Sequence, residues 1–210
     1  MRGQYTDGWV GDKHVAGYRA EDEVDPKSNV ETFVALKLEV QNWRWADVPF
    51  YLRTGKRLPR RATEIAIQYK LPPLMLFGDS STPPEPNLLA MRIQPDEGIM
   101  LRFAAKVPEL GLDVRSVNMD FTYGRAFARE APEAYETLLL DAMLGDASLF
   151  TRADEVEAAW SVVTPLHDVW DEWDKQADPA AQPADYEAGT WGPQAADKLL
   201  EHDGRRWRRL

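Results

Sequence analysis

Arg53, Lys56, Arg57, Arg60 and Arg61 place five cations within nine residues, in the segment 49–61, PFYLRTGKRLPRR. The whole chain carries 25 Lys and Arg against 35 Asp and Glu, a formal net charge of -10, so this density is not background composition. Cations grouped on a turn suit a phosphate, which accepts several charge-assisted hydrogen bonds at once. Gly55 is expected to supply positive φ in that turn, and its missing side chain lets an oxyanion approach the backbone. A solvated basic loop, or an edge strand blunted with charge against aggregation, has the same composition. Little else in the chain has catalytic character. His14, His167 and His202 are far apart and lack ligand spacing, and the acidic clusters at 21–25 and 168–174 read as solvated faces or helix ends. No dinucleotide glycine motif, phosphate-loop lysine or serine elbow is present. The residues therefore predict an anion-binding domain with no identifiable reaction, no catalytic residue and no metal site.

The elements that must hold this turn are strands. Residues 30–41, VETFVALKLEVQ, alternate, with Val30, Val34, Leu36, Leu38 and Val40 on one face and Glu31, Lys37, Glu39 and Gln41 on the other. Phe33 and Ala35 fall on the charged face and predict an apolar seam in it. The basic segment begins as the returning antiparallel strand. Residues 63–71 alternate again, 87–94 and 99–106 flank the turn Pro95-Asp96-Glu97-Gly98 as a hairpin, and 112–123 supply another strand. The opening residues 1–26 show neither period and read as loop. Later, 132–146 (PEAYETLLLDAMLGD) predict a helix ending at Gly145, and a helix from Thr151 is expected to kink or break near Thr164, before Pro165. A last helix is expected from Pro193 to Gly204. Strands first and helices after predict an α+β fold, one large, mainly antiparallel sheet with helices packed on one face, forming a single domain over 1–210.

Composition narrows the partners. The absence of cysteine excludes disulfides and thiolate chemistry, and no apolar run reaches the 18 residues that a membrane helix needs. The acidic balance argues against nucleic acid and membrane surfaces as partners, and a cytoplasmic location is expected. The Phe33 and Ala35 seam predicts a two-fold dimer through the sheet face.

Longer motifs carry a resemblance. The run SNVETFVALKLEVQNWRWADVPFYLRTGKRLPRR is similar to the C-terminal domain of glucose-6-phosphate dehydrogenase. So are RGQY at the start, RIQPDEG in the hairpin, PEAYETLLLDAMLGDASLFTRADEVEAAW and YEAGTWGPQAADKLL. The resemblance implies glucose 6-phosphate as ligand, NADP as the cofactor of the full-length family, and a homodimer or homotetramer through the sheet face. It places the family's sugar-phosphate lysine on Lys56, its second basic contact on Arg61 and its hairpin glutamine contact on Gln94. Nothing in the sequence resembles the family's dinucleotide-binding domain or catalytic histidine segment. A chain that is inactive by itself is therefore expected, with a free-standing, non-catalytic sugar-phosphate-binding or regulatory module as the alternative.

Overall fold

The computed structural model describes residues 1–74, 85–108, 113–128, 134–176, 182–208 and 210. The chain divides into two compact units, one formed by Met1–Arg60 with Asp146–Arg209, the other by Arg61–Gly145 with Leu210. The α+β class with mainly antiparallel strands is as expected, and the pairing is laid out as two four-stranded sheets and a separate hairpin.

The first unit holds β1 (Arg2–Thr6), β4 (Phe33–Glu39), β5 (Pro49–Gly55) and β10 (Ala184–Glu187) in the order β10-β1-β4-β5. The hairpin of β2 (Gly8–Val10) with β3 (Lys13–Val15) lies beside it in sequence. The expectation of a loop over residues 1–26 is thus overturned for β1, β2 and β3. β1 has no apolar alternation because its polar side chains are buried against specific partners. The Arg2 guanidinium donates to Asp174 Oδ2 at 3.1 Å and lies 5.7 Å from the Trp170 ring, while Gln4 Nε2 donates to the carbonyls of Ser28 and Val30 at 2.9 and 2.7 Å. Burial of polar groups that keep hydrogen-bond partners costs less than bare burial, and leaves no pattern for periodicity to find. β10 pairs parallel to β1, with Tyr5 opposite Tyr186.

On β4 the expected wet face is wet only at Lys37 and Glu39, while its start is buried. Phe33 and Ala35 are 1% and 0% exposed and form the core of this unit with Tyr5, Val15, Tyr186, Ala188 and Ala196. They are not a surface seam, and the dimer expectation loses that support. The core is closed by close backbone approach: a Cβ at Gly192, whose φ is +103°, would fall 2.3 Å from Phe33 Cε2. Lys37, on the same side of β4, reaches the Asp203 carboxylate at 2.7 Å. Of the expected kink or break, the break is absent: α3 (Ala153–Gln176) is continuous through Pro165, although proline removes the backbone donor to the Ser161 carbonyl. Its Trp170 is buried and its Asp174 holds Arg2. α4 (Ala195–Glu201) buries Ala196 and Leu200, and the Trp207 indole donates to Ala196 O at 2.9 Å.

The second unit is an antiparallel meander of β6 (Thr63–Gln68), β7 (Leu88–Gln94), β8 (Gly98–Lys106) and β9 (Val114–Thr122), followed by α1 (Tyr123–Phe127) and α2 (Ala134–Leu144). All four strands were expected, β6 and β9 from alternation and β7 with β8 from the turn between them. The register sorts the side chains into two faces. On one, Ile65, Met91, Ile99 and Phe121 form a row beside Ile67, Leu89, Leu101 and Met119. On the other, a small core of Leu88, Ala90 and Met100 is flanked by the ion pairs Arg92 to Asp120 and Arg102 to Glu85, both 2.7 Å. α2 ends at Gly145, φ +73°, as expected, whereas Pro132 lies outside the described residues.

Candidate anion-binding site

The basic turn leaves β5 directly under Phe33. A Cβ at Gly55 would stand 2.8 Å from Phe33 Cδ2, so glycine is needed for packing. The left-handed residue is Arg57, φ +50°, rather than Gly55 as expected. Three backbone hydrogen bonds fix the turn: Lys56 N donates to Thr32 O at 2.8 Å, the Tyr186 hydroxyl donates to Lys56 O at 2.8 Å, and Gly189 N donates to Arg57 O at 2.7 Å. The Lys56 side chain is exposed, and among the described residues its ammonium has no hydrogen-bond or ion-pair partner.

The five cations are not equivalent. The Arg53 guanidinium lies 4.9 Å from the ring centroids of both Trp191 and Trp207 and donates to Arg208 O at 3.1 Å, so it ties down the C-terminal segment. Burial lowers its pKa. Arg57 donates to Glu21 Oε1 at 2.8 Å and approaches the Tyr5 ring. Glu21 is held below the usual carboxylate range by the Tyr5 hydroxyl and then by Arg57. Arg60 and Arg61 are exposed. Of the expected contacts, Lys56 belongs to the first unit, and Arg61 and Gln94 to the second. Within that second unit, Gln94 ends β7 opposite Thr63, two residues after Arg61, so the register brings Arg61 and Gln94 to the same end of the sheet. Thr32, Tyr186 and Gly189 were missed as parts of this site. Their only signal in the sequence is that Tyr186 and Gly189 lie in the YEAGTW motif.

The family model described as "Glucose-6-phosphate dehydrogenase, C-terminal domain" matches residues 1–208. The chain belongs to the glucose-6-phosphate dehydrogenase C-terminal domain family. It is 51% identical over 207 residues to glucose-6-phosphate 1-dehydrogenase of Aggregatibacter actinomycetemcomitans, covering 99% of this chain and 40% of that protein. It is 49% identical over 209 residues to glucose-6-phosphate 1-dehydrogenase 2 of Mycobacterium tuberculosis, with 99% and 39% covered. A solved glucose-6-phosphate dehydrogenase in complex with its substrate glucose-6-phosphate superposes with a TM-score of 0.82 at 32% identity, covering 100% of this chain and 41% of that one. The chain thus spans about two fifths of the length of the relatives it matches.

Set within this glucose-6-phosphate dehydrogenase C-terminal domain, the histidines keep local roles: His14 lies 3.2 Å from Asp7, His167 3.5 Å from Glu31 and His202 3.4 Å from Asp203. No group of three metal-ligating side chains occurs among the described residues, and no helix among them is long and apolar enough to cross a membrane. Burial, and then Glu21, push the Tyr5 phenol up to about 12. A group whose folded pKa lies above its ordinary value near 10 stabilises the fold fully below pH 10, and that contribution is lost as pH rises through about 12. Thermal melts should therefore fall between about pH 10 and pH 12. In a Tyr5→Phe variant that part of the fall should be absent, and an identical alkaline profile would remove Tyr5 from the account.

Proposed function

We propose that this chain is the substrate-binding and oligomerising part of an NADP-dependent glucose-6-phosphate dehydrogenase. Such an enzyme oxidises glucose 6-phosphate at C1 to 6-phosphogluconolactone, in the pentose phosphate pathway, in the cytoplasm. By the family resemblance, Lys56 in the first unit and Arg61 and Gln94 in the second are assigned as substrate contacts. The observation that carries this reading is the Lys56 turn: its backbone is held at both ends while its ammonium stays exposed and unpaired among the described residues. A cation that spends its charge on no protein carboxylate is available to a phosphate at little reorganisation cost. Titration with glucose 6-phosphate should shift the NMR signals of Lys56, Arg61 and Gln94, and inorganic phosphate should compete for them. Shifts confined to the exposed C-terminal arginines would refute the assignment.

NADP requires separate treatment. A nicotinamide dinucleotide is usually cradled where a glycine-rich turn joins a strand to a helix in a parallel βαβ unit. The one parallel pair among the described strands, β1 with β10, is not joined in that way. The described residues do not fit the cofactor, and no step of hydride transfer is assigned to them.

Self-association rests on the apolar face of the second unit. Ile65 is 52% and Met119 61% exposed, in a face whose two rows crossing all four strands contain no polar side chain. Such a patch is costly to leave in water, and a second copy covers it with the same chemistry by two-fold symmetry. Light scattering is expected to give about twice 23.9 kDa. Ile67→Lys with Met119→Lys should return the mass to that of one chain, and a dimer surviving both charges would move the interface elsewhere.

A further inference from the structure

We propose that Tyr186 is a positioning residue for Lys56, a buried phenol that braces the anion-binding turn from behind; the inference rests on Lys56 being a phosphate contact. Tyr186 is 4% exposed, and its ring is wedged edge-on to Tyr5 at 6.3 Å and tilted against Phe33 at 5.5 Å. The single proton of the hydroxyl has two acceptors in reach, Lys56 O at 2.8 Å and Thr32 O at 3.1 Å, and the shorter contact is to Lys56. The Tyr186 oxygen in turn stands 3.1 Å from Thr32 Oγ1, and Thr32 Oγ1 accepts from Tyr5 N at 3.0 Å. One consistent order satisfies the whole chain: Tyr5 N–H donates to Thr32 Oγ1, Thr32 Oγ1–H to Tyr186 Oη, and Tyr186 Oη–H to Lys56 O.

Thr32 also closes the other end, because its carbonyl accepts from Lys56 N at 2.8 Å. Both peptide groups flanking Lys56 are therefore fixed, and only its side-chain torsions remain to be ordered when an anion binds. Fixing the Cα–Cβ direction beforehand lowers the ordering cost of binding. A purely structural aromatic at this position needs no hydroxyl. The hydroxyl here is spent on the carbonyl of the residue that presents the charge.

The test is the dissociation constant for glucose 6-phosphate, measured by calorimetry on the protein at its native length. Tyr186→Phe is expected to weaken binding by about 3-fold to 10-fold. In a Lys56→Ala background the same substitution should change nothing further, because the effect passes through Lys56. Thr32→Val should mimic Tyr186→Phe and Thr32→Ser should retain affinity, which tests the same link with the phenol intact should Tyr186→Phe fail to fold. Equal losses from Tyr186→Phe with and without Lys56 would overturn the positioning role. Loss in Lys56→Ala with none in Tyr186→Phe would also overturn it while leaving the phosphate reading in place. A harmless Lys56→Ala would defeat the phosphate reading itself and this inference with it.

Discussion

Mixed with glucose 6-phosphate and NADP, the 210-residue chain by itself should give no sustained rise in reduced-cofactor absorbance. Hydride transfer requires the nicotinamide held against C1 and a base within hydrogen-bond reach of the C1 hydroxyl. Orientation of that kind supplies about 7 to 11 kcal/mol of the barrier. The histidines stand beside carboxylates of their own neighbourhoods, His14 at Asp7, His167 at Glu31 and His202 at Asp203, and none is a member of the hydrogen bonds that fix the Lys56 turn. Weak sugar-phosphate binding is still expected, on the order of millimolar, since few of the polar groups needed to desolvate a sugar are in place. Cofactor reduction that survives further purification and disappears in Lys56→Ala would establish a catalytic base within these residues.

In an enzyme that carries this chain together with a dinucleotide-binding domain, Lys56→Ala should raise the dissociation constant for glucose 6-phosphate by about 10-fold to 150-fold. That range follows from the roughly 1.5 to 3 kcal/mol carried by a hydrogen bond to a charged group. Its neighbour Arg57 should matter far less. Arg57 points its guanidinium at Glu21, so its charge is already compensated, and Arg57→Asn suits the left-handed backbone there. Only a small loss of general positive potential should follow, a few-fold at most and shrinking with added salt. Equal losses at the two positions would replace the defined contact with a diffuse basic patch.

These predictions show where sequence reasoning reaches and where it stops. β6 and β9 were legible from their two-residue period, β7 and β8 from the turn at 95–98 between them, and Lys56 because charge density stands out against an acidic chain. β1 was illegible because Arg2 and Gln4 are buried with hydrogen-bond partners of their own, which inverts the usual link between polarity and exposure. β4 misled in a different way. Both of its faces carry apolar side chains, so alternation located the strand but could not rank the faces, and Phe33 and Ala35 proved to be the core. Pro165 was read by a local rule, while the helix around it is sustained by contacts such as Trp170 and Asp174 further along. The support for Lys56 was hidden because it acts on backbone atoms: a carbonyl accepting from Tyr186 leaves no signature in the side chain that carries it.

The parallel pairing of β1 with β10 also sets an order of events on the ribosome. The second unit interrupts the first, and its strands pair only with sequence neighbours, so it can complete its ladder as soon as residue 122 has emerged. β1 must wait for a partner roughly 180 residues downstream. At about 5 to 20 residues per second, that delay is about 10 to 35 s. Throughout it the outer edge of β1 presents unpaired amides and carbonyls to other nascent chains.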